Sequence, residues 1–186
     1  MYAASIDLQQ PLAWLVPQVL SPQECVAHIE RLERLGPEKA TIDLGPKAMI
    51  REEIRNNSRV TVDDEPMASL LFERLRARLP STLMGMTVTG ANPRLRYYRY
   101  HPGEYFALHH DGSYVKGPRE RSLLTLMVYL NEDFEGGATA FPELQQTFVP
   151  RTGSALLFQH MLLHEGCTVT RGTKYAIRSD VMYRAP

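Results

Sequence analysis

The stretch Tyr105–Asp111, reading YFALHHD, holds the side chains of this sequence best suited to chemistry. Side chains alternate along a strand, so His109 and Asp111 point the same way, about 6–7 Å apart. Two such groups can bite one metal ion if a third ligand arrives from a neighbouring strand. His164, at the head of HEGCTVT, is the candidate. Two imidazoles and one carboxylate on one side of an iron make the facial triad of oxygen-activating ferrous sites, with the opposite three positions open. His110 faces away from His109 on the same alternation, and His101 and His160 are assigned no metal role. Alone, a His-x-Asp tripeptide says little, since an ordinary surface or core histidine is the commoner explanation of any one of these residues.

Lys174 lies ten residues beyond His164 and opens another strand-like run. Lys174, Ala176, Arg178 and Asp180 share one face of it; Tyr175, Ile177, Val181 and Tyr183 share the other. The second face is apolar, as a sheet packed beneath helices requires. The first is unusually charged for a core strand. Buried charges need partners, and a dicarboxylate ligand would supply one; the alternative is an edge strand with a solvated face. SLLTLMVYLN argues against an exposed sheet. Leu123, Thr125, Met127 and Tyr129 lie on one side and Leu124, Leu126, Val128 and Leu130 on the other, and a strand apolar on both sides is covered on both. The Tyr129 hydroxyl then needs a hydrogen-bond partner among apolar neighbours.

The elements that must position these groups are legible. Ser21-Pro22-Gln23-Glu24 opens a helix, with Ser21 as cap, Pro22 at the first helical position and Glu24 completing a capping box. Cys25, Ile29 and Leu32 share its buried face, and Gly36-Pro37 stops it. A second helix is expected from Pro66 to Leu79, with Met67, Leu70, Leu71 and Leu75 apolar, ended by Pro80. From residue 86 the texture turns to short runs rich in Val, Tyr, Thr and Leu: MTVTG, LRYYRY, EYFALHHD, SLLTLMVYLN, ATAF, QTFV, SALLF, HEGCTVT and KYAIRSDVMY. No helix-length segment separates them. The fold class expected is mainly β (α+β), a β-sandwich or jelly roll with helices packed on one sheet.

Length and composition bound the rest. At 186 residues the chain fits one domain, with 1–85 a helical support region and 86–186 the β-core. Lys and Arg together number 21, as do Asp and Glu, so the formal charge is zero and nothing global calls for a nucleic-acid or membrane partner. Two cysteines, Cys25 and Cys167, indicate no disulfide framework, and Cys167 reads as a small buried strand residue rather than a redox sensor. MYAASIDLQQPLAWLVPQVL does not read as a signal peptide, and Asn56-Asn57-Ser58 carries no weight as a glycosylation acceptor without one. A cytoplasmic, reducing setting is the expectation.

RYHPGEYFALHHDG, LMVYLNEDFEGGATAFP and LLHEGCTVTRGTKYAI together resemble the three signature blocks of prolyl-4-hydroxylase-type Fe(II)/2-oxoglutarate-dependent dioxygenases, in order and in spacing, from about Leu95 to Tyr183. The resemblance implies a double-stranded β-helix (cupin-like) core, iron on His109, Asp111 and His164, and a salt bridge from Lys174 to the distal carboxylate of 2-oxoglutarate. It also places Tyr129 and Tyr100 in the cosubstrate pocket, and Thr139 matches its pattern. The implied reaction couples oxidative decarboxylation of 2-oxoglutarate by dioxygen to hydroxylation of a C–H bond, with ascorbate as a possible reductant.

Collagen-type relatives usually carry a tryptophan where this chain reads YAIRSDVMYR. Arg178 therefore adds a second cation on the pocket side, open to a role in binding 2-oxoglutarate. The expected substrate is a prolyl or similar residue in a polypeptide. A free amino acid or other small molecule whose carboxylate Arg178 holds is the alternative, unless Asp180 neutralises that cation. Met49 to Asp64 and Gly112 to Arg121 are expected as polar loops walling the substrate groove. Demethylation of nucleic acid by the same chemistry, a cupin with other chemistry, and a catalytically silent metal-binding β-sandwich are the competing readings. Oligomeric state leaves no mark on the sequence.

Overall fold

The computed structural model describes residues 6–43, 48, 49 and 51–186. Helix α1, Pro22–Leu35, starts on the expected capping box, with Ser21 and Glu24 satisfying each other's backbone N–H, and ends at Gly36 with φ 68°. Helix α2, Glu65–Leu75, is shorter than the sequence suggests. Its last turn tightens into a 3-10 segment, Arg76–Arg78, and Leu79 turns extended, as the residue before a proline must. Leu70 stays at the surface while Met67, Ala68, Leu71 and Leu75 are buried.

All nine expected strand runs contain strand, although HEGCTVT divides into His164–Gly166 and Val169–Arg171. Cys167 falls in the turn between these two pieces and is only half-buried, not a buried strand residue. The major sheet is antiparallel throughout. Its central order runs Ala13–Val16, Ala155–Gln159, Glu120–Tyr129, Lys174–Arg184, Arg94–Tyr100, Ser58–Asp63 and Glu38–Lys39. The minor sheet orders Gln146–Phe148, Thr139–Phe141, His164–Gly166 and Phe106–His109. Two facing antiparallel sheets with both helices on the outside of the larger one make the double-stranded β-helix the sequence calls for.

The alternation read from Lys174–Arg184 holds. Ile177, Val181 and Tyr183 join Leu124, Leu126, Val128, Leu95 and Tyr97 in a core that α1 and α2 cover through Cys25, Leu32, Leu71 and Leu75. The opposite face looks into the space between the sheets. There the register sets Lys174 against Tyr100, Arg178 against both Arg96 and Met127, and Asp180 against Thr125.

Two expectations for the first 85 residues fail. The region is not helical alone, because Ala13–Val16 and Ser58–Asp63 are strands of the major sheet. Ser58–Asp63 lies inside the segment expected as a polar loop, Met49 to Asp64, of which Ile50 lies outside the described residues. SRVTVD alternates β-branched and polar residues, and the side of Arg94–Tyr100 facing away from Lys174–Arg184 offers it a free edge. Its approach is pinned too: Ala107 N–H donates to Ile54 O (2.8 Å) and Tyr105 N–H to Asn56 Oδ1 (2.8 Å). Gly112 to Arg121 does keep an exposed start, but Val115–Gly117 pairs back onto the strand beginning at Glu120. Among the described residues no helix is long and apolar enough to cross a membrane.

Candidate active site

His109 and His164 are direct cross-strand partners on the minor sheet, and Asp111 follows just beyond the end of its strand, its N–H held by His160 O (3.0 Å). One ligand atom from each of the three lies within 4.8 Å of the others. His109 Nε2 is 3.7 Å from Asp111 Oδ1, and His164 Nε2 is 3.6 Å from Asp111 Oδ2. These gaps are too long for hydrogen bonds and are what two metal–ligand bonds of about 2.0–2.2 Å can bridge.

The ring tautomers are set by the backbone. His109 Nδ1 donates to Ala107 O (2.8 Å) and His164 Nδ1 to Leu162 O (2.9 Å), which leaves both Nε2 lone pairs facing the carboxylate, as metal-binding histidines require. Phe106 stacks on His109 at 3.5 Å and fixes its ring plane. Burial, reinforced by the neighbouring His164, pushes His109 down to about 4, and burial lowers His164 as well. Both rings are therefore neutral near pH 7, and neither forms an ion pair with Asp111. Burial alone would raise Asp111, but Arg178 and then the two histidines hold it well below the usual carboxylate range.

A chain of hydrogen bonds supports the carboxylate. Tyr114 N–H donates to Ser122 Oγ (2.8 Å), whose hydroxyl donates to His160 Nε2 (2.7 Å). His160 Nδ1–H donates to Thr125 Oγ1 (2.9 Å), whose hydroxyl donates to Asp111 Oδ2 (2.6 Å). The direction is fixed from the carboxylate end, since a carboxylate only accepts and the Thr125 hydroxyl, its one proton spent there, accepts from His160, whose Nε2 is then an acceptor for Ser122. His160, no ligand, is thus part of the support; His110 is exposed with Nδ1 on Met161 O (3.0 Å), and His101 is exposed.

On the same inner space, Lys174 is 2 % exposed. Its Nζ donates to Gly137 O (2.6 Å) and sits 5.1 and 5.4 Å from the ring centroids of Tyr100 and Tyr129. No carboxylate pairs with it among the described residues, and burial pulls its pKa down to about 8. The carbonyl is presented by the Gly136-Gly137 turn, where φ is 75° and 63° and a Cβ on Gly136 would stand 2.3 Å from Thr168 O. The Tyr129 hydroxyl finds its partner in Thr139 Oγ1 (2.8 Å). Three neutral or anionic donors meeting at one point, beside a buried cation with no counter-charge, fit a divalent metal together with a carboxylate ligand. Tyr98, Tyr100, Met127, Thr139, Lys174 and Arg178 wall this pocket with the three donors.

Several of these residues escape a reading of the sequence. Thr125 is visible as the polar member of the inner face of its strand, but His160 and Ser122 only through contacts across strands. Arg55, 4 % exposed, is held by Asn57 Oδ1 (2.8 and 3.0 Å) and lies over the Phe106 and Tyr98 rings at 4.1 and 5.1 Å. Burial raises the Tyr98 phenol, yet Arg178, Arg55 and Arg96 together pull it below its ordinary value. A second cavity of about 570 Å³ meets the site at Asp111 and opens outward between Met84, Met86, Arg119, Leu123 and Met161.

The buried imidazoles make one expected result in solution. Burial, the largest cause at each, lowers His109 and His160 from 6.5 to about 4. The unfolded chain takes up these protons below pH ~6.5 and the folded one only near pH 4, so their contribution to stability is full above 6.5 and is lost as the pH falls towards 4. Thermal unfolding of chelator-treated protein from pH 7 to 4.5 checks this, and His160→Gln should shrink the decline. A midpoint equally flat in both proteins would contradict it.

Residues 95–179 match the family model of the 2OG-Fe(II) oxygenase superfamily. A protein of Acanthamoeba polyphaga mimivirus, named as a candidate prolyl 4-hydroxylase, is 30% identical over 142 residues, 66% of this chain and 56% of that protein. The viral collagen prolyl hydroxylase of Paramecium bursaria Chlorella virus-1, solved as its 2OG complex, superposes with a TM-score of 0.66 at 23% identity, covering 95% of this chain and 98% of that one. A Trichoplax adhaerens prolyl hydroxylase, solved with a hypoxia-inducible-factor peptide fragment, gives 0.70 at 17% identity, over 94% and 84%. Residues 95–179 are thus similar to the 2OG-Fe(II) oxygenase superfamily, and relatives in sequence are named prolyl 4-hydroxylase and PKHD-type hydroxylase. The chain spans little more than half the length of the first curated relatives it matches.

Proposed function

We propose that this chain is an Fe(II)- and 2-oxoglutarate-dependent hydroxylase acting on a prolyl or similar residue of a polypeptide. The observation that carries the reading is the pairing of two features in one pocket: a His109–Asp111–His164 cluster with its lone pairs turned inward, and a buried Lys174 that no carboxylate among the described residues neutralises. Iron and 2-oxoglutarate, when bound with dioxygen, supply the oxidising chemistry, yielding succinate, carbon dioxide and a hydroxylated carbon. The protein's residues bind and orient. His109, Asp111 and His164 hold the metal on one side. Lys174 draws the distal carboxylate of 2-oxoglutarate into the depth of the sandwich, between Tyr100 and Tyr129. Thr139 fixes the Tyr129 hydroxyl and keeps it from competing for the lysine. Phe106, Met127 and Phe141 exclude water from the space around the histidines.

The polypeptide reading draws support from the named relatives and from the cleft that opens at Asp111, which is of a size to take a residue with its flanking backbone. Succinate release on adding a terminally blocked prolyl peptide tests it; peptides that never stimulate turnover, beside a small molecule that does, would overturn it. Thr125 offers a check on the metal site itself. Outer hydrogen-bond partners of metal ligands are worth roughly 10–100-fold in affinity, so Thr125→Val should weaken Fe(II) binding by that factor in an anaerobic titration. Unchanged affinity would remove Thr125 from the proposed support of the metal site.

A further inference from the structure

The inner pocket holds more positive charge than a metal and 2-oxoglutarate use. Around Tyr98 and the three donors stand Arg55, Arg96, Lys174 and Arg178, against two carboxylates, Asp111 and Asp180. Asp180 is already divided: it accepts from Asn92 Nδ2 (3.0 Å) and Arg96 Nη1 (3.5 Å) and lies 3.4 Å from Arg178 Nη2. Asp111, 3.0 Å from the same Nη2, is the one carboxylate of the candidate metal cluster. A bound divalent ion and a doubly charged cosubstrate cancel each other, so the surplus of two positive charges around Tyr98 remains, with Lys174 and Arg178 lining the pocket, Arg55 buried beside it and Arg96 partly exposed. A buried surplus of this kind is costly unless an anion arrives.

Arg178 is placed to receive it. Its Nε–H is buried and has no acceptor among the described residues, although the side chain as a whole is 13% exposed to solvent. The Nε and Nη edge of a guanidinium is a fork that takes a carboxylate through two parallel hydrogen bonds, and here half of that fork is idle. Lys174 and Arg178 stand four residues apart on one strand, about 13 Å between Cα atoms. A distal carboxylate seated on Lys174 leaves the Nε–H of Arg178 available to another group.

We propose that Arg178 is a specificity-determining residue that binds a carboxylate of the primary substrate, next to the carbon that is hydroxylated. This rests on the oxygenase reading. The carboxylate has two sources consistent with the site: the α-carboxylate of a free amino acid, or an acidic side chain beside the target residue of a peptide. In either case Arg178 touches the substrate and Asp180, with Arg96 and Asn92 behind it, orients the guanidinium.

The test is a binding measurement on full-length protein loaded with Mn(II) and 2-oxoglutarate under nitrogen, so that no turnover occurs. Titration by ligand-observed NMR compares L-proline with L-prolinamide, and terminally blocked prolyl peptides carrying Asp beside the proline with the same peptides carrying Asn. One carboxylate member should bind about ten- to a hundredfold more tightly than its neutral twin, and the pair that does so names the source. Arg178→Gln should erase that difference, while Arg178→Lys should keep part of it. Should the variants fold poorly, the charged and neutral pairs on the unaltered protein still decide. Equal binding of both twins in both pairs overturns the proposal, as does discrimination that survives in Arg178→Gln. Paramagnetic broadening of 2-oxoglutarate by Mn(II) in the same samples reports on the metal and cosubstrate site. Its absence would count against the oxygenase reading, separately from the role of Arg178.

Discussion

Asp111→Ala is expected to abolish the Fe(II)–2-oxoglutarate complex. The carboxylate is the one anionic ligand of the cluster, and it is fixed from two sides, by Thr125 on Oδ2 and by Arg178 on Oδ1. Its removal leaves two neutral imidazoles, with Arg178 turned towards the metal position and repelling a divalent cation. Loss of an outer partner costs roughly 10–100-fold, so loss of the ligand itself should exceed the upper end of that range. The readout is the visible charge-transfer band that anaerobic Fe(II) and 2-oxoglutarate give when chelated together, expected in the unaltered protein and missing in the variant. The variant should remain folded, because the His160–Thr125 pair and the sheet register do not depend on the carboxylate. A variant that binds iron and turns over normally would take Asp111 out of the proposed ligand set.

The second large effect is expected at Lys174. A charge-assisted contact to a partly buried carboxylate contributes roughly 1.5–3 kcal/mol, one to two decades in affinity. Lys174→Ala should therefore raise the 2-oxoglutarate requirement about ten- to a hundredfold and leave Fe(II) affinity close to unchanged. Only a carbonyl, Gly137 O, loses a partner, and a buried cation that burial already discourages is removed, so the fold should tolerate the change. Lys174→Arg should restore part of the affinity. An unchanged requirement in Lys174→Ala would transfer the distal carboxylate to Arg178 and sink the division of labour between the two cations.

How far the sequence reaches differs from element to element. Strand alternation alone put Lys174, Arg178 and Asp180 on one face and Ile177, Val181 and Tyr183 on the other, and the structure has them so. The reason is that a strand covered on both sides tolerates no slip of register. The same alternation set His109 and Asp111 on one side, and His164 entered as a candidate third ligand from a neighbouring strand; the structure brings the three within 4.8 Å. The N-terminal third was harder. Ser58–Asp63 is short, carries Arg59 and ends on an aspartate, and becomes a strand because Arg94–Tyr100 offers an unpaired edge, a fact about tertiary structure. The Ser122–His160–Thr125–Asp111 chain was not legible, since its members lie on three segments and nothing local marks a hydroxyl that faces a buried carboxylate. Arg55 was missed because a cation held by an amide and two aromatic faces shows no opposite charge in the sequence.

The central claim, that this chain spends dioxygen on 2-oxoglutarate at a metal held by His109, Asp111 and His164, is tested most directly by isotope tracing. Protein reconstituted with Fe(II) is incubated with 2-oxoglutarate under ¹⁸O-labelled dioxygen, and the succinate formed is weighed by mass spectrometry. The account predicts succinate carrying one labelled oxygen atom, formed only when Fe(II) is present and not by Asp111→Ala. Succinate without label, or none at all from protein shown to have bound Fe(II) and 2-oxoglutarate, would contradict it.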